Sequence, residues 1–194
     1  MSAPEIACAL LAAGASTRLG RPKQLLMRAG MPLIVHVLSQ LKAAGCAHHA
    51  VILGSRAEVI RPVLAAESCE LFDNPDWTEG IAASIRLAAA WAQRQRAAAL
   101  LLAVCDQPRL GAEHARALCA AFAADGCAVA SGYSATLGTP AIFPASWYPR
   151  LLQLRGDRGA GALLRADPSV RVIDWRDGAI DIDIDTDLSD GGWH

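Results

Sequence analysis

The chain has 194 residues, of which 53% are hydrophobic and 19% charged, a composition typical of a globular protein and not of a disordered one. Its net charge of −1 provides no basic field that would attract nucleic acid or an anionic membrane. No apolar run approaches the roughly 18 residues of a membrane span, and the apolar stretch near the amino terminus follows no basic segment. We therefore expect a cytoplasmic protein without nucleic-acid or membrane partners, in which that stretch is the first buried strand.

Two residue counts refine this expectation. Six cysteines stand at positions 8, 46, 69, 105, 119 and 127, without a CxxC pair or a Cys/His cluster of zinc spacing. Most have apolar neighbours, so we interpret them as buried free thiols in a reducing cytoplasm. Of the 18 basic residues only two are lysines, Lys23 and Lys42.

Short apolar runs alternate with helical patterns along the chain. The predicted strands are 6–11, 50–53, 69–72, 98–104, 128–131, 141–143 and 170–175, and the predicted helices are 33–44, 58–66, 81–95, 112–124, 147–154 and 160–166. The near-continuous apolar run 98–104 favours a central parallel strand covered on both faces. Helices between such strands predict right-handed βαβ units, and hence a three-layer α/β fold with a doubly wound, mostly parallel, Rossmann-like sheet in one domain, 1–194. The Gly- and Pro-containing stretch 131–149 is predicted to be an insertion or an excursion at the sheet edge.

A loop of small residues, 12–23, follows the first predicted strand. Gly14 and Gly20 permit positive φ, and successive free N–H groups in such a loop form an anion nest. Arg18 and Lys23 add two cations, and Ser16 adds a hydroxyl. Because this chain otherwise uses arginine, a lysine here indicates a point charge directed at a phosphate. The alternative is an ordinary strand-to-helix turn with incidental cations.

Two common phosphate-binding motifs are absent from this loop. The GxGxxG fingerprint needs a glycine where Ser16 stands. The GxxxxGK[ST] motif needs four residues between its glycines and a lysine directly after the second, whereas five residues separate Gly14 from Gly20 and two more precede Lys23. A dinucleotide-dependent hydride-transfer enzyme and a P-loop NTPase are therefore both disfavoured.

Aspartates follow two other predicted strands. Asp106 is the second residue after the apolar run 98–104, where a carboxylate is costly to desolvate unless it is paired or bound to metal. Mg²⁺ prefers one or two carboxylates together with phosphate oxygens. Segment 181–187 alternates, so that an extended strand would carry four aspartates on one face. The alternatives are a turn or helix-capping aspartate at 106 and a solvated edge strand at 181–187.

The loop resembles the signature LAAGxSxRMGxxK of the MobA-like nucleotidyltransferases, with Leu19 in place of Met. The branch that it resembles most is that of the molybdenum cofactor cytidylyltransferases (MocA-like). Asp106-Gln107-Pro108 is similar to the metal-binding DQP motif of that family, and 183–186 to its DIDT segment. The segment 74–84 resembles N-x-x-W-x-x-G-x-x-x-S. Two further segments resemble the family with changes: 138–143 is similar to GHPxxF with Thr139 for His, and 156–161 to GDRGAR with Gly161 for the last Arg.

This resemblance implies roles for individual residues. Arg18, Lys23 and Asp106 would be catalytic, and Asp106 and Asp185 would hold Mg²⁺, or Mn²⁺ in its place, with Asp183 as the fallback ligand. The nucleotide would be bound by Leu11, Ala12, Ala13, Gly14, Ser16, Arg18, Gly20, Lys23, Gly80 and Ser84. The acceptor would lie near Asn74, Trp77, Gly138 and Asp157.

The implied reaction transfers a nucleoside monophosphate from a nucleoside triphosphate (NTP) to a phosphorylated acceptor, with release of pyrophosphate. CTP is the favoured donor and molybdopterin the favoured acceptor, and a molybdenum hydroxylase or its maturation factor would receive the product. The alternatives are a guanylyltransferase that uses GTP, a sugar-phosphate nucleotidyltransferase, and a non-catalytic molybdopterin carrier or chaperone. Lys23 and Asp106 count against the carrier, which needs no metal-activated triphosphate.

Overall fold

The computed structural model describes residues 4–17, 19–133 and 136–175. The strands are β1 (Ile6–Ala12), β2 (Met27–Arg28), β3 (Met31–Pro32), β4 (His48–Leu53), β5 (Glu70–Asp73), β6 (Ala99–Val104), β7 (Val129–Tyr133), β8 (Thr136–Pro144) and β9 (Arg171–Asp174). The α-helices are α1 (Leu33–Lys42), α2 (Ala57–Ile60), α3 (Ile81–Arg94), α4 (Ala112–Asp125), α5 (Tyr148–Leu152) and α6 (Gly161–Arg165). Within these residues no helix is long and apolar enough to cross a membrane.

In the described part of the chain, seven strands form one sheet in the order β5-β4-β1-β6-β8-β7-β9. Neighbouring strands are parallel except where β8 pairs with β6 and with β7. Strands β2 and β3 form a separate antiparallel ribbon. The mostly parallel sheet with helices on both sides confirms the predicted fold class.

The central strands explain why the sheet is covered on both faces. All seven residues of β1 are buried. Cys8 and Leu10 face a core layer that includes α1 and α4. Ala9 and Leu11 face the other layer, with α3, α5 and α6. Alternate residues of a strand point to opposite faces, so a strand without polar positions requires a helical layer on each side.

The stretch 131–149 differs from its prediction. It supplies β8, which lies inside the sheet between β6 and β7, so the prediction of an edge excursion is wrong. Ala141, Ile142 and Phe143 are fully buried in β8. Pro140 lacks an N–H group, and it lies where the register of the β7–β8 pair shifts between Ala130 and Ser131.

The parallel strands β1, β4 and β6 end at the same edge of the sheet. Three loops therefore meet there, those that follow Ala12, Leu53 and Val104. Ligands of open α/β sheets bind outside the carboxyl ends of the strands, so a binding site is expected at this edge.

Candidate active site

A cavity of about 350 Å³ opens at this edge of the sheet. Its lining comes from the loop after β1 (11–15), from Lys23 and Gln24, from the end of β6 (104–106), from five residues between 77 and 84, and from Asp157. Segments far apart in the sequence thus meet around one space that is large enough to hold part of a nucleotide.

Lys23 and Asp106 form an ion pair in the cavity. The distance from Lys23 Nζ to Asp106 Oδ2 is 2.5 Å. The two side chains are 26% and 38% exposed, and so accessible a pair stabilises the fold by no more than about 1 kcal/mol. The ion pair therefore contributes little to the stability of the fold. It holds a cation that suits a phosphate beside a carboxylate that suits a divalent metal ion.

Gln24 fixes the conformation of the loop after β1. Its side chain is 1% exposed, and its Nε2 donates to the carbonyl oxygens of Ala12 at 2.8 Å and Gly14 at 3.1 Å. In a trans peptide the N–H group points away from the preceding carbonyl, so the amides of Ala13 and Ala15 face away from Gln24. Within the described residues, no acceptor pairs with the Ala15 N–H. Backbone N–H groups that point away from Gln24 in this way are suited to bind an anion.

Ser16 and Gly20 shape the return of this loop to Lys23. Ser16 has a φ of 51° and Gly20 a φ of 68°. The Ser16 hydroxyl oxygen accepts a hydrogen bond from the Lys23 N–H at 3.2 Å, and the Ser16 carbonyl accepts one from the Leu19 N–H at 3.1 Å. These contacts close the loop so that the Lys23 side chain reaches the cavity, although Ser16 and Gly20 do not line it.

A close approach of β4 supports the same loop. A Cβ atom at Gly54 would lie 2.7 Å from the Cβ atoms of Ala13 and Trp77. The Ser55 N–H donates to the Ala13 carbonyl at 3.1 Å. Only glycine leaves room for this packing, because a side chain would push the loop or Trp77 away.

Segment 74–84 forms another wall. Trp77–Glu79 is a short 3₁₀ helix, and Gly80, with a φ of 117°, joins it to α3. Ser84 is 3% exposed, and its hydroxyl oxygen accepts from Asn74 Nδ2 at 3.0 Å. Asn74 therefore lies behind the wall and orients Ser84, whereas Trp77, Gly80 and Ser84 line the cavity.

Glu79 and Arg86 connect this wall to the segment after α5. Glu79 Oε1 and Oε2 accept from the Arg86 guanidinium at 2.7 and 2.6 Å. Oε1 also accepts from the Gly156 N–H at 3.2 Å, and Arg86 donates to the Leu154 carbonyl at 2.9 Å. The hydrogen bonds from Arg86 and then from Gly156 lower the pKa of Glu79 to about 2. Asp157, the next residue, lines the cavity.

The structure brings most of the predicted site residues together. The cavity is lined by Leu11, Ala12, Ala13, Gly14, Lys23, Trp77, Gly80, Ser84, Asp106 and Asp157. Gly138 does not line it and lies in β8 beneath the Tyr133 ring. Arg18, Asp183 and Asp185 lie outside the described residues. Sequence reasoning missed Gln24, Gly54, Glu79 and Arg86; the only signal for Gln24 is its polar side chain beside the apolar pair 25–26.

The fold and the cavity define an α/β protein with a Rossmann-like sheet and a candidate site at its carboxyl edge. Residues 8–172 match the family of MobA-like NTP transferase domains, and the chain belongs to this family. The resemblance found in the sequence is thereby confirmed.

Similar proteins cover nearly the whole chain. Nicotine blue oxidoreductase of Paenarthrobacter nicotinovorans is 30% identical in an alignment 193 residues long, which covers 94% of this chain and 93% of that protein. The crystal structure of Rv0371c from Mycobacterium tuberculosis H37Rv is 27% identical, with a TM-score of 0.77 over 91% of this chain and 90% of that one. A structure of Rv0371c in complex with manganese is 26% identical, with a TM-score of 0.74 over 89% of each chain.

Proposed function

We propose that this protein transfers a nucleoside monophosphate from an NTP to a phosphorylated acceptor and releases pyrophosphate. The observation that carries the proposal is the Lys23–Asp106 pair, which lies with the Gly14 loop in one cavity. Family membership supports the use of an NTP. CTP as donor and molybdopterin as acceptor are supported only by the MocA-like form of the motifs at 12–14 and 106–108.

The residues present fit the divalent metal ion that such a transfer needs. Mg²⁺ is held by one or two carboxylates and keeps water and phosphate oxygens as its other ligands. Asp106 presents a partly exposed carboxylate to the cavity. Within the described residues no three His, Cys, Asp or Glu side chains form a ligand group, so Asp106 would share the ion with the triphosphate and with Asp185, or Asp183 as the fallback. Bound there, Mg²⁺, or Mn²⁺ in its place, would polarise the α-phosphate as a Lewis acid.

The chain's own residues position the reactants. The outward amides of the loop after β1 would bind phosphate oxygens, and Lys23 would stabilise the negative charge that develops on the leaving pyrophosphate, together with Arg18 outside the described residues. An oxygen of the acceptor phosphate attacks the α-phosphorus in line, and no covalent enzyme intermediate is needed. Orientation and charge stabilisation supply most of the rate.

Pyrophosphate release tests the proposal. Purified protein is incubated with Mg²⁺, molybdopterin and CTP, GTP, ATP or UTP in turn. We expect release that depends on the acceptor, is fastest with CTP and stops with EDTA. Fastest release with GTP would identify a guanylyltransferase. Release that requires a sugar 1-phosphate instead of molybdopterin would identify a sugar-phosphate nucleotidyltransferase. If no combination of NTP and acceptor released pyrophosphate, nucleotidyl transfer would be refuted. Molybdopterin binding without turnover would then identify a carrier.

A second candidate is an oxidoreductase, because the relative that is named so matches 94% of this chain at 30% identity. The discriminating measurement is the oxidation of NADH or NADPH in the presence of a dye acceptor, without NTP. The missing GxGxxG fingerprint predicts no oxidation of either nucleotide. Dye-dependent oxidation together with no pyrophosphate release would favour the oxidoreductase.

A further inference from the structure

We propose that Glu79 and Arg86 form a positioning pair that holds segment 154–157, so that Asp157 presents its carboxylate to hydrogen-bond donors of the acceptor. This inference rests on the proposed function, which it deepens by assigning one wall of the cavity to the acceptor. Neither Glu79 nor Arg86 lines the cavity, so the pair would act through Asp157 rather than on the substrate.

The contacts of the pair all converge on segment 154–157. Two guanidinium nitrogens of Arg86 donate to the two carboxylate oxygens of Glu79, at 2.7 and 2.6 Å. This bidentate geometry gives strong and specific pairing. Glu79 then accepts from the Gly156 N–H at 3.2 Å, and Arg86 donates to the Leu154 carbonyl at 2.9 Å. Glu79 thus binds a backbone N–H group of the segment, and Arg86 binds a backbone carbonyl group.

The packing beneath Asp157 leaves the segment little freedom. A Cβ atom at Gly80 would lie 2.6 Å from the carbonyl carbon and oxygen of Gly156. The Ala82 N–H donates to the Gly156 carbonyl at 3.1 Å, so both backbone groups of Gly156 are bound to the start of α3 or to Glu79. Asp157 follows directly, and its place on the cavity wall depends on these bonds.

The charges of the cavity indicate what Asp157 would bind. Among the described lining residues the charged side chains are one cation, Lys23, and two carboxylates, Asp106 and Asp157. With Lys23 already beside Asp106, an anionic group at Asp157 would meet a carboxylate that has no cationic partner among the described residues. An acceptor that presents N–H or O–H donors, such as the amino group and ring N–H of a pterin, would instead donate hydrogen bonds to the Asp157 carboxylate.

The pair stays intact at the pH of an enzyme assay. The pKa of Glu79 is lowered to about 2 from its ordinary 4.5, chiefly by the hydrogen bonds from Arg86. A depressed carboxyl pKa means that the contribution of the pair is complete above 4.5 and is lost as the pH falls through about 2. A change in acceptor binding between pH 6 and 8 would therefore not arise from Glu79.

Equilibrium binding of molybdopterin and of CTP to matched variants tests the inference. Glu79→Gln and Arg86→Gln each break the pair. Arg171→Gln serves as the control, because it breaks an Arg–carboxylate pair, with Asp125, at the β9 edge of the sheet, and neither of these residues lines the cavity. We expect about tenfold weaker molybdopterin binding in the two test variants only, with CTP binding changed less than twofold. Unchanged molybdopterin binding, or equal losses for both ligands, would overturn the inference.

Two further variants separate positioning from simple stabilisation. Exchanging the partners, as Glu79→Arg with Arg86→Glu, restores the ion pair but reverses its bonds to Gly156 and Leu154, so molybdopterin binding should stay weak. Recovery in the exchange variant would show that the pair only stabilises the fold. Asp157→Asn should weaken molybdopterin binding by itself and add little when combined with Glu79→Gln, because contacts on one path are not additive. Additive losses would exclude action through Asp157.

Hydrogen exchange examines the segment independently of substrates. The amides of 154–157 should exchange faster in Glu79→Gln than in wild type or Arg171→Gln, and equal rates in all three would overturn the inference. Failure of the inference and failure of the proposed function are distinguishable. A wild-type protein that releases no pyrophosphate refutes the transfer reaction, whereas a wild-type protein that does not bind molybdopterin overturns the assignment of Asp157 to this acceptor.

Discussion

Replacing Gln24 by Met tests how the loop after β1 is held. Methionine has a similar length and no donor, so the variant removes both hydrogen bonds, to Ala12 at 2.8 Å and to Gly14 at 3.1 Å, without leaving a large cavity. Each bond contributes about 1 ± 0.5 kcal/mol net, so the unfolding free energy should fall by about 1–3 kcal/mol. The lower part of this range is expected, because Gln24 Oε1 is buried without a partner among the described residues and the substitution removes that oxygen too.

The functional effect should be confined to the nucleotide. Without the Gln24 bonds to the carbonyls of Ala12 and Gly14, the N–H groups of Ala13 and Ala15 are no longer fixed in their orientation away from residue 24. We expect the KM for CTP to rise on the order of tenfold, equivalent to about 1.4 kcal/mol, while the KM for molybdopterin changes less than twofold.

Urea unfolding and pyrophosphate-release kinetics measure the two effects on the same samples. Gln95→Met is the matched control, because Gln95 Nε2 donates to Glu70 at 2.8 Å on the exposed surface. Gln24→Glu should be less stable than Gln24→Met, since a carboxyl group there faces two carbonyl oxygens. A Gln24→Met protein that is less stable but keeps the wild-type KM for CTP would refute the role of Gln24 in the loop. A Gln24→Glu protein as stable as wild type would refute the hydrogen bonds themselves.

Three further predictions concern the packing and the titration of the fold. In Gly54→Ala the added Cβ meets the Ala13 Cβ at 2.7 Å, so thermal unfolding should show a loss of about 1–3 kcal/mol and pyrophosphate release should slow. In Tyr148→Phe the buried hydroxyl that donates to the Ala97 carbonyl at 3.1 Å is lost, so urea unfolding should show a loss of about 1 kcal/mol without a change in turnover. Burial lowers the pKa of His114 from its ordinary 6.5, so stability should fall as the pH drops from 7.5 to 5.5, and less steeply in His114→Gln.

Each of these has a result that would contradict it. A Gly54→Ala protein with wild-type stability and turnover would mean that the loop does not pack against β4 as described. Slower turnover in Tyr148→Phe would mean that its effect extends beyond the core. An unchanged pH slope in His114→Gln would assign the acid sensitivity to other groups, such as His36 and His49, whose pKa values burial also lowers.

The strands of the main sheet could be predicted because their apolar runs are continuous. The strand predicted at 98–104 is β6, observed at Ala99–Val104, and the strand predicted at 6–11 is β1, observed at Ile6–Ala12. The ribbon of β2 and β3 was not predicted, since strands of two residues carry no periodic signal. The place of β8 was missed because a buried apolar run does not tell whether its strand runs parallel or antiparallel.

The predictions of the helices were also inaccurate in detail. The predicted helix 58–66 is α2 followed by the 3₁₀ helix Arg61–Leu64, in which Pro62 cannot donate to an α-helical hydrogen bond. The helical pattern of 112–124 also gives no sign of the environment of His114. This residue is half-buried, with Nε2 2.7 Å from the Ser131 hydroxyl oxygen and its ring stacked on Trp175, contacts between segments distant in the sequence.

The site could be predicted only where residue type carries chemistry. Lys23 and Asp106 were singled out as a cation in a glycine-containing loop and a carboxylate after a buried strand, and the structure places them in one cavity. Their catalytic roles stay predictions. Glu79 and Arg86 were not found, because their significance depends on a backbone segment some 70 residues further along the chain, which no local pattern reveals.

Pyrophosphate release by Asp106→Ala, with Mg²⁺, CTP and molybdopterin, tests the central claim most directly. Asp106 is 38% exposed, so the variant should fold and unfold like wild type. Turnover should nevertheless fall by on the order of 10³, equivalent to about 4 kcal/mol of lost transition-state stabilisation, whereas Asp73→Ala outside the cavity should retain it. Turnover near the wild-type rate in a folded Asp106→Ala protein would contradict the assignment of this carboxylate to the metal and to the reaction.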